Sequence, residues 1–192
     1  MRSPARVYVL IMALLIGQLG LMAQEIQVPI RMQVPIFLKI LAFDRHLKEK
    51  AGDEVVLCVL YQQKYMRSNM AKDEIVSELE KLGDLRIQGL PVRYVALNFK
   101  DRGSLEKAVD EMGIDVFYVT PLRAVELSEI TAVARKKKVL TFSTIPEYVD
   151  AGLSVGLVVR GEKPEIIVNL RAARSEGADF SSGLLRLAQI VE

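Results

Sequence analysis

The sequence is poor in the residue types from which most metal centres and catalytic sites are built. It has one cysteine, one histidine and no tryptophan among its 192 residues. A zinc site with several histidines is therefore excluded, and so is an internal disulfide, which needs two thiols. The P-loop, the G-x-G-x-x-G loop and the H-E-x-x-H helix are also absent. We expect no catalytic residue, no metal centre and no bound cofactor, and hence a protein that is not an enzyme.

The single thiol and the single imidazole both have structural interpretations. Cys58 lies in an apolar run at residues 55–60, which predicts a small buried hydrophobe; an intermolecular disulfide is the alternative. His46 lies at the end of the first predicted helix, where we expect a solvated or helix-end histidine. Residues 135–138 form a basic run that would complement the dipole of a helix ending there, and contact with anionic lipid is the alternative.

The first 23 residues have the three parts of a secretory signal peptide. Arg2 and Arg6 form a positive start, an uncharged run follows at residues 7–22, and Ala23 offers a small residue for cleavage. The run is shorter than the roughly 20 apolar residues of a membrane-spanning helix. We expect residues 1–23 to be a cleaved signal peptide and the protein to lie in the periplasm. A retained membrane anchor is the alternative.

The charge of the exported chain is balanced. Removal of residues 1–23 takes away two arginines and no acid, which leaves 24 basic and 24 acidic residues. A protein that binds phosphate backbones is expected to keep a basic surplus. We therefore expect no nucleic-acid partner.

Short β-branched runs alternate with helical patterns along most of the chain. Strands are predicted at residues 54–61, 92–99, 116–119 and 139–142, and this alternation is typical of βαβ units with a parallel sheet. Two further strands, at residues 153–160 and 165–169, flank a Gly-Glu-Lys-Pro turn and predict an antiparallel hairpin. The predicted fold class is α/β, with three layers. Helices flank a mainly parallel sheet, and the C-terminal antiparallel hairpin lies at the sheet edge.

Helices are predicted at both ends of this domain. The first is expected to begin at Pro35, a residue that suits the first turn of a helix. The last is expected after Ser181 or Ser182, with apolar side chains at helical spacing, namely Leu184, Leu187, Ala188 and Val191. No linker rich in proline, glycine or serine divides the chain, so we predict a single domain at residues 28–192.

Polar residues follow the predicted parallel strands at the point where each strand ends. In open α/β sheets, ligands bind beyond these carboxyl ends. The candidates for a small-molecule edge are Tyr61, Asn98, Thr120, Ser143 and Thr144. The alternative is that these residues serve only as turn and cap residues, which every loop of this kind needs.

The last third of the chain carries a distinctive pattern. A strand ends in Ile167-Val168-Asn169-Leu170, and then come Ala172-Ala173-Arg174, Gly177, Ser181-Ser182, Leu184-Leu185 and Leu187-Ala188. The pattern resembles the YfiR-like family of periplasmic proteins. Its physical roles are architectural: Asn169 bonds the turn into a helix, the alanines pack closely, Gly177 ends that helix and Ser181 caps the next.

The resemblance implies a regulator, because the best-known family member restrains a membrane-bound diguanylate cyclase by binding its periplasmic domain. We therefore expect a periplasmic regulatory protein that modulates a membrane-bound cyclase or sensor kinase. Its contact surface is expected on exposed apolar groups around Phe37 and Leu41 of the first helix, or on the C-terminal helix. The alternative is a small-molecule-binding lobe that resembles half of a solute receptor. A homodimer is also left open.

Overall fold

The computed structural model describes residues 28–160 and 163–191. The predicted signal peptide at residues 1–23 lies outside the described residues. In chain order the elements are α1 (Ile30–Leu41), α2 (Leu47–Ala51), β1 (Val55–Tyr61), α3 (Met66–Lys81), β2 (Arg86–Ile87), β3 (Leu90–Asn98), α4 (Arg102–Met112), β4 (Val116–Val119), α5 (Leu127–Lys137), β5 (Leu140–Ser143), α6 (Pro146–Asp150), β6 (Val155–Arg160), β7 (Lys163–Asn169), α7 (Leu170–Ser175), α8 (Ser182–Leu185) and β8 (Ala188–Val191).

The predicted α/β class with a mainly parallel sheet is confirmed. The strands of the described residues form one sheet in the order β2-β3-β1-β4-β5-β6-β7-β8. Strands β3, β1, β4, β5 and β6 run parallel to their neighbours within that group, and β6 and β7 form the predicted antiparallel pair. The chain passes from β1 to β3 on one side and then returns to β4 on the other side, so the direction of winding reverses between β1 and β4.

Alternation along the central strands divides the core into two layers. Leu57 and Val59 of β1 point to the layer that holds α1 and α3, whereas Cys58 and Leu60 point to the layer that holds α4 and α5. We call these layers the α1 face and the α5 face. The continuous apolar run in β1 follows from burial on both faces.

The N-terminal helix begins earlier than the sequence predicted. Helix α1 starts at Ile30, and Pro35 lies inside it. The carbonyl of Pro29 accepts bonds from the amides of Met32 and Gln33, at 2.8 and 3.1 Å, and this forms the first turn before Pro35 is reached. Helix α1 ends at Leu41, and a turn separates it from α2.

The predicted long C-terminal helix is wrong. Helix α8 has four residues, and the chain then forms β8, which pairs in parallel with β7 through Ile166 and Ala188. The sheet therefore extends one strand beyond the hairpin. The spacing of the apolar residues also fits a helix, but the β-branched Ile190 and Val191 complete the sheet next to β7.

The motif of the last third has the architectural roles predicted for it, with one exception. Asn169 caps α7, and its side-chain oxygen accepts a bond from the amide of Ala172 at 2.9 Å. Ala172 and Ala173 are buried, and Gly177 has a φ of 82°, which ends the helical run. Ser181 holds the cap position of α8 but makes no capping bond through its side chain.

Candidate functional site

The five candidates for the small-molecule edge lie at the same end of the sheet. Tyr61 and Asn98 are register partners at the ends of β1 and β3, and Thr120 follows β4 directly. Ser143 is the last residue of β5, and Thr144 follows it. The parallel topology brings together five residues that are distributed over four separate strand ends in the sequence.

Internal hydrogen bonds occupy the crevice between β1 and β4. The Thr120 hydroxyl donates to the carbonyl of Leu60 at 3.0 Å and lies 2.7 Å from the Ser68 hydroxyl. The Ser68 oxygen also accepts the amide of Gln62 at 2.7 Å. Because these groups satisfy one another, neither Thr120 nor Ser68 leaves a free polar group at the crevice where the winding reverses.

Two other candidates also serve the loops that follow their strands. The Asn98 side-chain oxygen accepts the amide of Gln63 at 2.9 Å. Ser143 is fully buried, and its hydroxyl donates to the carbonyl of Val119 at 3.0 Å. Tyr61 is half-buried, with the Lys72 ammonium 5.1 Å from its ring centroid. The turn-and-cap interpretation thus accounts for the hydrogen bonds of Asn98 and Ser143.

A small cleft remains beside this crevice, between the start of α1, helix α3 and the end of β4. Its volume is about 220 Å³, and both Thr120 and Thr144 lie in its wall. We call it the strand-end cleft. The side chains that line it besides these two include Gln33, Glu74, Ile75 and Tyr118.

A buried polar pair forms part of the wall of the strand-end cleft. The Tyr118 hydroxyl donates to the side-chain oxygen of Gln33, whose amide nitrogen donates to the carbonyl of Val28. Burial raises the pKa of the Tyr118 hydroxyl, so it stays protonated and remains a donor. Glu74 is exposed and supplies a carboxylate to the wall.

The expected contact surface around Phe37 and Leu41 is wrong, because both side chains are fully buried. The Phe37 ring stacks on Phe142 with centroids 4.1 Å apart, and it meets Tyr118 edge-on at 5.3 Å. Helix α1 is covered by α3 and by the returning C-terminal segment, which contributes Phe180 to the same cluster. These residues build the core of the α1 face and cannot meet a partner.

Exposed apolar side chains occur instead on α3, at Met66 and Met70, and near the C-terminus. Leu187 is 71% exposed and Ile190 is 38% exposed. Both lie on or next to β8, which is the last strand in the sheet order of the described residues. A strand at this position presents unpaired backbone groups along its outer side.

A buried carboxylate at Glu176 was not singled out from the sequence. It is fully buried and accepts the amide of Thr141 at 2.8 Å, the hydroxyl of Thr141 at 2.9 Å and the hydroxyl of Ser154. Burial raises the pKa of Glu176 to about 7. Nothing in the local sequence distinguishes this glutamate from a surface residue, because its partners lie 22 and 35 positions away.

A pattern of the G-x-S-x-G type was also missed at the sequence level. Residues 152–156 read Gly-Leu-Ser-Val-Gly. A catalytic serine in this pattern stands exposed on a strand-to-helix turn, whereas Ser154 is fully buried and precedes β6. Gly156 has a packing role, since a Cβ there would lie 2.5 Å from the Val149 side chain. The geometry is therefore not that of a nucleophile.

Cys58 is buried and His46 is solvated, as the sequence predicted, but His46 precedes α2 and does not end the first helix. Cys58 is buried, and burial raises the pKa of its thiol to about 12. The His46 side chain is half-exposed at the start of α2. No cluster of three or more His, Cys, Asp or Glu with metal-binding geometry occurs within residues 28–160 and 163–191. In the same ranges, no helix is both long and apolar enough to cross a bilayer.

Solved structures with the same fold come from several bacterial proteins. The ABC domain in complex with L-Trp from Streptococcus pneumonia has a TM-score of 0.57 at 15% identity, covering 85% of this chain and 60% of its own. A conserved domain protein from Vibrio cholerae has a TM-score of 0.58 at 12% identity, covering 88% and 61%. CD0873, a substrate binding protein with adhesive properties from Clostridium difficile, has a TM-score of 0.53 at 17% identity, covering 80% and 59%. This chain thus spans about three fifths of each, and at these identities the likeness concerns the fold.

The family comparison covers most of the chain. No curated protein matches it at a significant level. The model of the family described as YfiR/HmsC-like matches residues 31–189, which include both faces of the sheet and the complete C-terminal motif. The chain therefore belongs to the YfiR/HmsC-like family.

Proposed function

We propose that the protein is a periplasmic regulator that binds a membrane-bound signalling protein, a diguanylate cyclase or a sensor kinase, and changes its output. Membership of the YfiR/HmsC-like family is the observation that carries this proposal. The mechanism is differential affinity: a regulator that binds one state of its partner more tightly shifts the partner toward that state. The protein works by contact and does not catalyse a reaction.

The region around β8 supports a protein-binding role. Leu187 and Ile190 are exposed, although most apolar side chains of the described residues are covered. The outer side of an edge strand can also pair with an extended segment of another chain. We therefore place the partner contact at Leu187, Ile190 and the backbone of β8.

Site-specific cross-linking in living cells tests this placement. A photo-activated amino acid at Leu187 is expected to capture a membrane-bound cyclase or kinase, and the L187D variant is expected to lose control of that enzyme's output. Leu82 at the end of α3 is 43% exposed and serves as the matched control position. Capture from Leu82 but not from Leu187, with L187D retaining control, would refute the contact.

The strand-end cleft supports a second candidate, a small-molecule-binding lobe. One similar fold belongs to a substrate binding protein and another to a domain solved with L-Trp. The cleft volume of about 220 Å³ suits a ligand smaller than a typical drug. The Glu74 carboxylate in its wall favours a ligand with an amine or hydroxyl group.

A thermal-shift screen separates the two candidates. Amines, amino acids, sugars and nucleotides are the probes, and a ligand of the cleft is expected to raise the unfolding midpoint of the wild type. The E74Q variant should lose the shift given by a cationic ligand. Absence of any shift in the wild type would leave protein binding as the function.

A further inference from the structure

A second concavity lies at the amino ends of the parallel strands, whereas the strand-end cleft lies at their carboxyl ends. Strand β7 runs antiparallel to β6, so Asn169 at its end lies where the parallel strands begin. Arg135 lies in the last turn of α5, just before β5. A cavity of about 410 Å³ lies between these elements, lined by Arg135, Asn169, Arg171, Ala172 and Ser175. We call it the arginine cleft.

A neighbouring hollow extends the same surface. Its volume is about 320 Å³, and it shares Arg171 and Ser175 with the arginine cleft. Its wall adds Leu170 and Arg174. Arg171 therefore stands between two concavities, with Arg135 on one side and Arg174 on the other.

None of the three guanidinium groups forms a close ion pair among the described residues, although the charge of Arg135 lowers the pKa of the Glu176 carboxyl and that of Arg174 lowers the pKa of the Asp179 carboxyl. None of the ion pairs in those residues includes Arg135, Arg171 or Arg174. The bond from Arg135 to the carbonyl of Gly152 is long, at 3.3 Å. No acidic residue lines either hollow. The other basic residues of the α5 terminus differ, since Lys136 and Lys137 pair with Glu106 and Asp110.

The remaining polar groups of the cleft add a donor. The Asn169 oxygen is occupied by the amide of Ala172, which leaves the NH₂ group as the donor of the Asn169 side chain. The Ser175 hydroxyl donates to the carbonyl of Arg171, at 2.9 Å. Guanidinium groups present several fixed N–H donors that match the paired oxygens of a carboxylate or a phosphate.

We propose that the arginine cleft binds an oxyanion, a carboxylate or phosphate group, between Arg135 and Arg171. Arg174, the one residue of the Ala-Ala-Arg motif that core packing does not explain, lies in the wall of the adjoining hollow and not in that of the arginine cleft. Ala172 and Ala173 are buried beside the sheet, whereas Arg174 is exposed and faces the adjoining hollow. The site goes beyond the proposed function and is independent of the partner contact at β8.

Calorimetric titration of the purified protein with pyrophosphate and with citrate at low ionic strength tests the site. Saturable binding with one ion per chain is expected, and R135Q or R171Q should each weaken it about tenfold or more. The R67Q variant is the matched control, because Arg67 is also exposed but lies at the start of α3, near the carboxyl ends of the parallel strands. Preference for pyrophosphate identifies a phosphate site, and preference for citrate a carboxylate site.

Two outcomes of this titration would contradict an oxyanion site in the arginine cleft. Binding that never saturates, or that R67Q weakens as much as R171Q does, would show attraction to general positive charge and overturn the proposal. Far-UV circular dichroism checks that each variant is folded. R171E provides a second test at the exposed position, because reversal of the charge must abolish binding if the oxyanion lies against Arg171.

Discussion

The two faces of the sheet are closed in different ways. The α5 face is covered by two consecutive helices, α4 and α5, and its core is an apolar cluster that includes Cys58, Leu105 and Ile130. The α1 face combines α3 with the two ends of the described chain, since α1 packs there with Phe180 and Leu184 from the C-terminal segment. The first face depends on neighbouring elements in sequence, and the second depends on contacts over more than 130 residues.

A polar junction joins the two ends on the α1 face. The Asp44 carboxylate is fully buried and accepts the amides of His46 and Asp179, at 3.0 and 2.8 Å. The Lys50 ammonium lies 3.5 Å from its other oxygen. The amide of Arg45 donates to the carbonyl of Asp179, which continues the junction through the backbone. Long-range closure thus uses fixed polar bonds, whereas the α5 face is closed mainly by apolar packing.

Truncation of the aromatic cluster should have the largest effect. We expect F37A to lower the free energy of unfolding by about 4 kcal/mol, since Phe37 is fully buried against Tyr118 and Phe142. L105A on the α5 face is the matched variant, with an expected loss of about 3 kcal/mol. Urea unfolding measures both values. If F37A lowers the free energy of unfolding less than L105A does, the α1 face does not depend on its aromatic cluster as proposed.

Loss of the buried carboxylate should be the next largest effect. D44A leaves two amides and the nearly buried Lys50 ammonium without their acceptor, and we expect a loss of about 3 kcal/mol. The double variant D44A/K50M should recover part of that loss, because it removes the unpaired charge as well. Urea unfolding of the two variants tests this, and equal stability of D44A and the wild type would contradict a junction at Asp44.

Glu176 should make stability depend on pH. Its pKa is raised from 4.5 to about 7, so the folded state holds the proton more tightly than the unfolded state does. The stabilisation is fully present below pH 4.5 and is lost as the pH rises through 7, with an expected loss of roughly 3 kcal/mol. E176Q mimics the neutral acid and should remove this part of the pH dependence. Unfolding curves at pH 4.5 and pH 7.5 give the comparison.

The neutral form fits the surroundings of Glu176. One of its oxygens accepts the Thr141 amide and the Ser154 hydroxyl, and the other lies 2.9 Å from the Thr141 hydroxyl oxygen. A glutamine can keep these contacts by donating to that hydroxyl through its NH₂ group. If E176Q shows the same pH dependence as the wild type, another group is responsible.

The exposed ion pair beside the polar junction should have the smallest effect. Arg45 lies 2.8 Å from Asp179, but both side chains are well exposed to solvent. Surface pairs contribute little to stability, so R45A should unfold at nearly the same urea concentration as the wild type. A marked loss in R45A would show that the junction depends on charge at its surface and not on the buried Asp44.

The sequence predicted the parallel half of the sheet well and the closure of the α1 face poorly. Strands β1, β4 and β5 follow from short apolar runs that burial on both sides dictates. The burial of Phe37 and the strand β8 could not be predicted in this way, because each depends on elements distant in the chain. The candidate site was also predicted only in part. The parallel topology brings Thr120 and Thr144 to one cleft, as strand order alone suggests. The hydrogen bonds that occupy Asn98 and Ser143 join residues distant in the chain and could not be read from the sequence.

The most direct test of regulation by contact is reconstitution of the captured membrane enzyme in liposomes. Its nucleotide synthesis or phosphorylation rate would be measured as the purified regulator is titrated on the periplasmic side. The rate is predicted to change saturably at one regulator per partner site, with the regulator itself chemically unaltered and no substrate consumed by it. An unchanged rate at saturating regulator, or turnover of a substrate by the regulator alone, would contradict the proposed function.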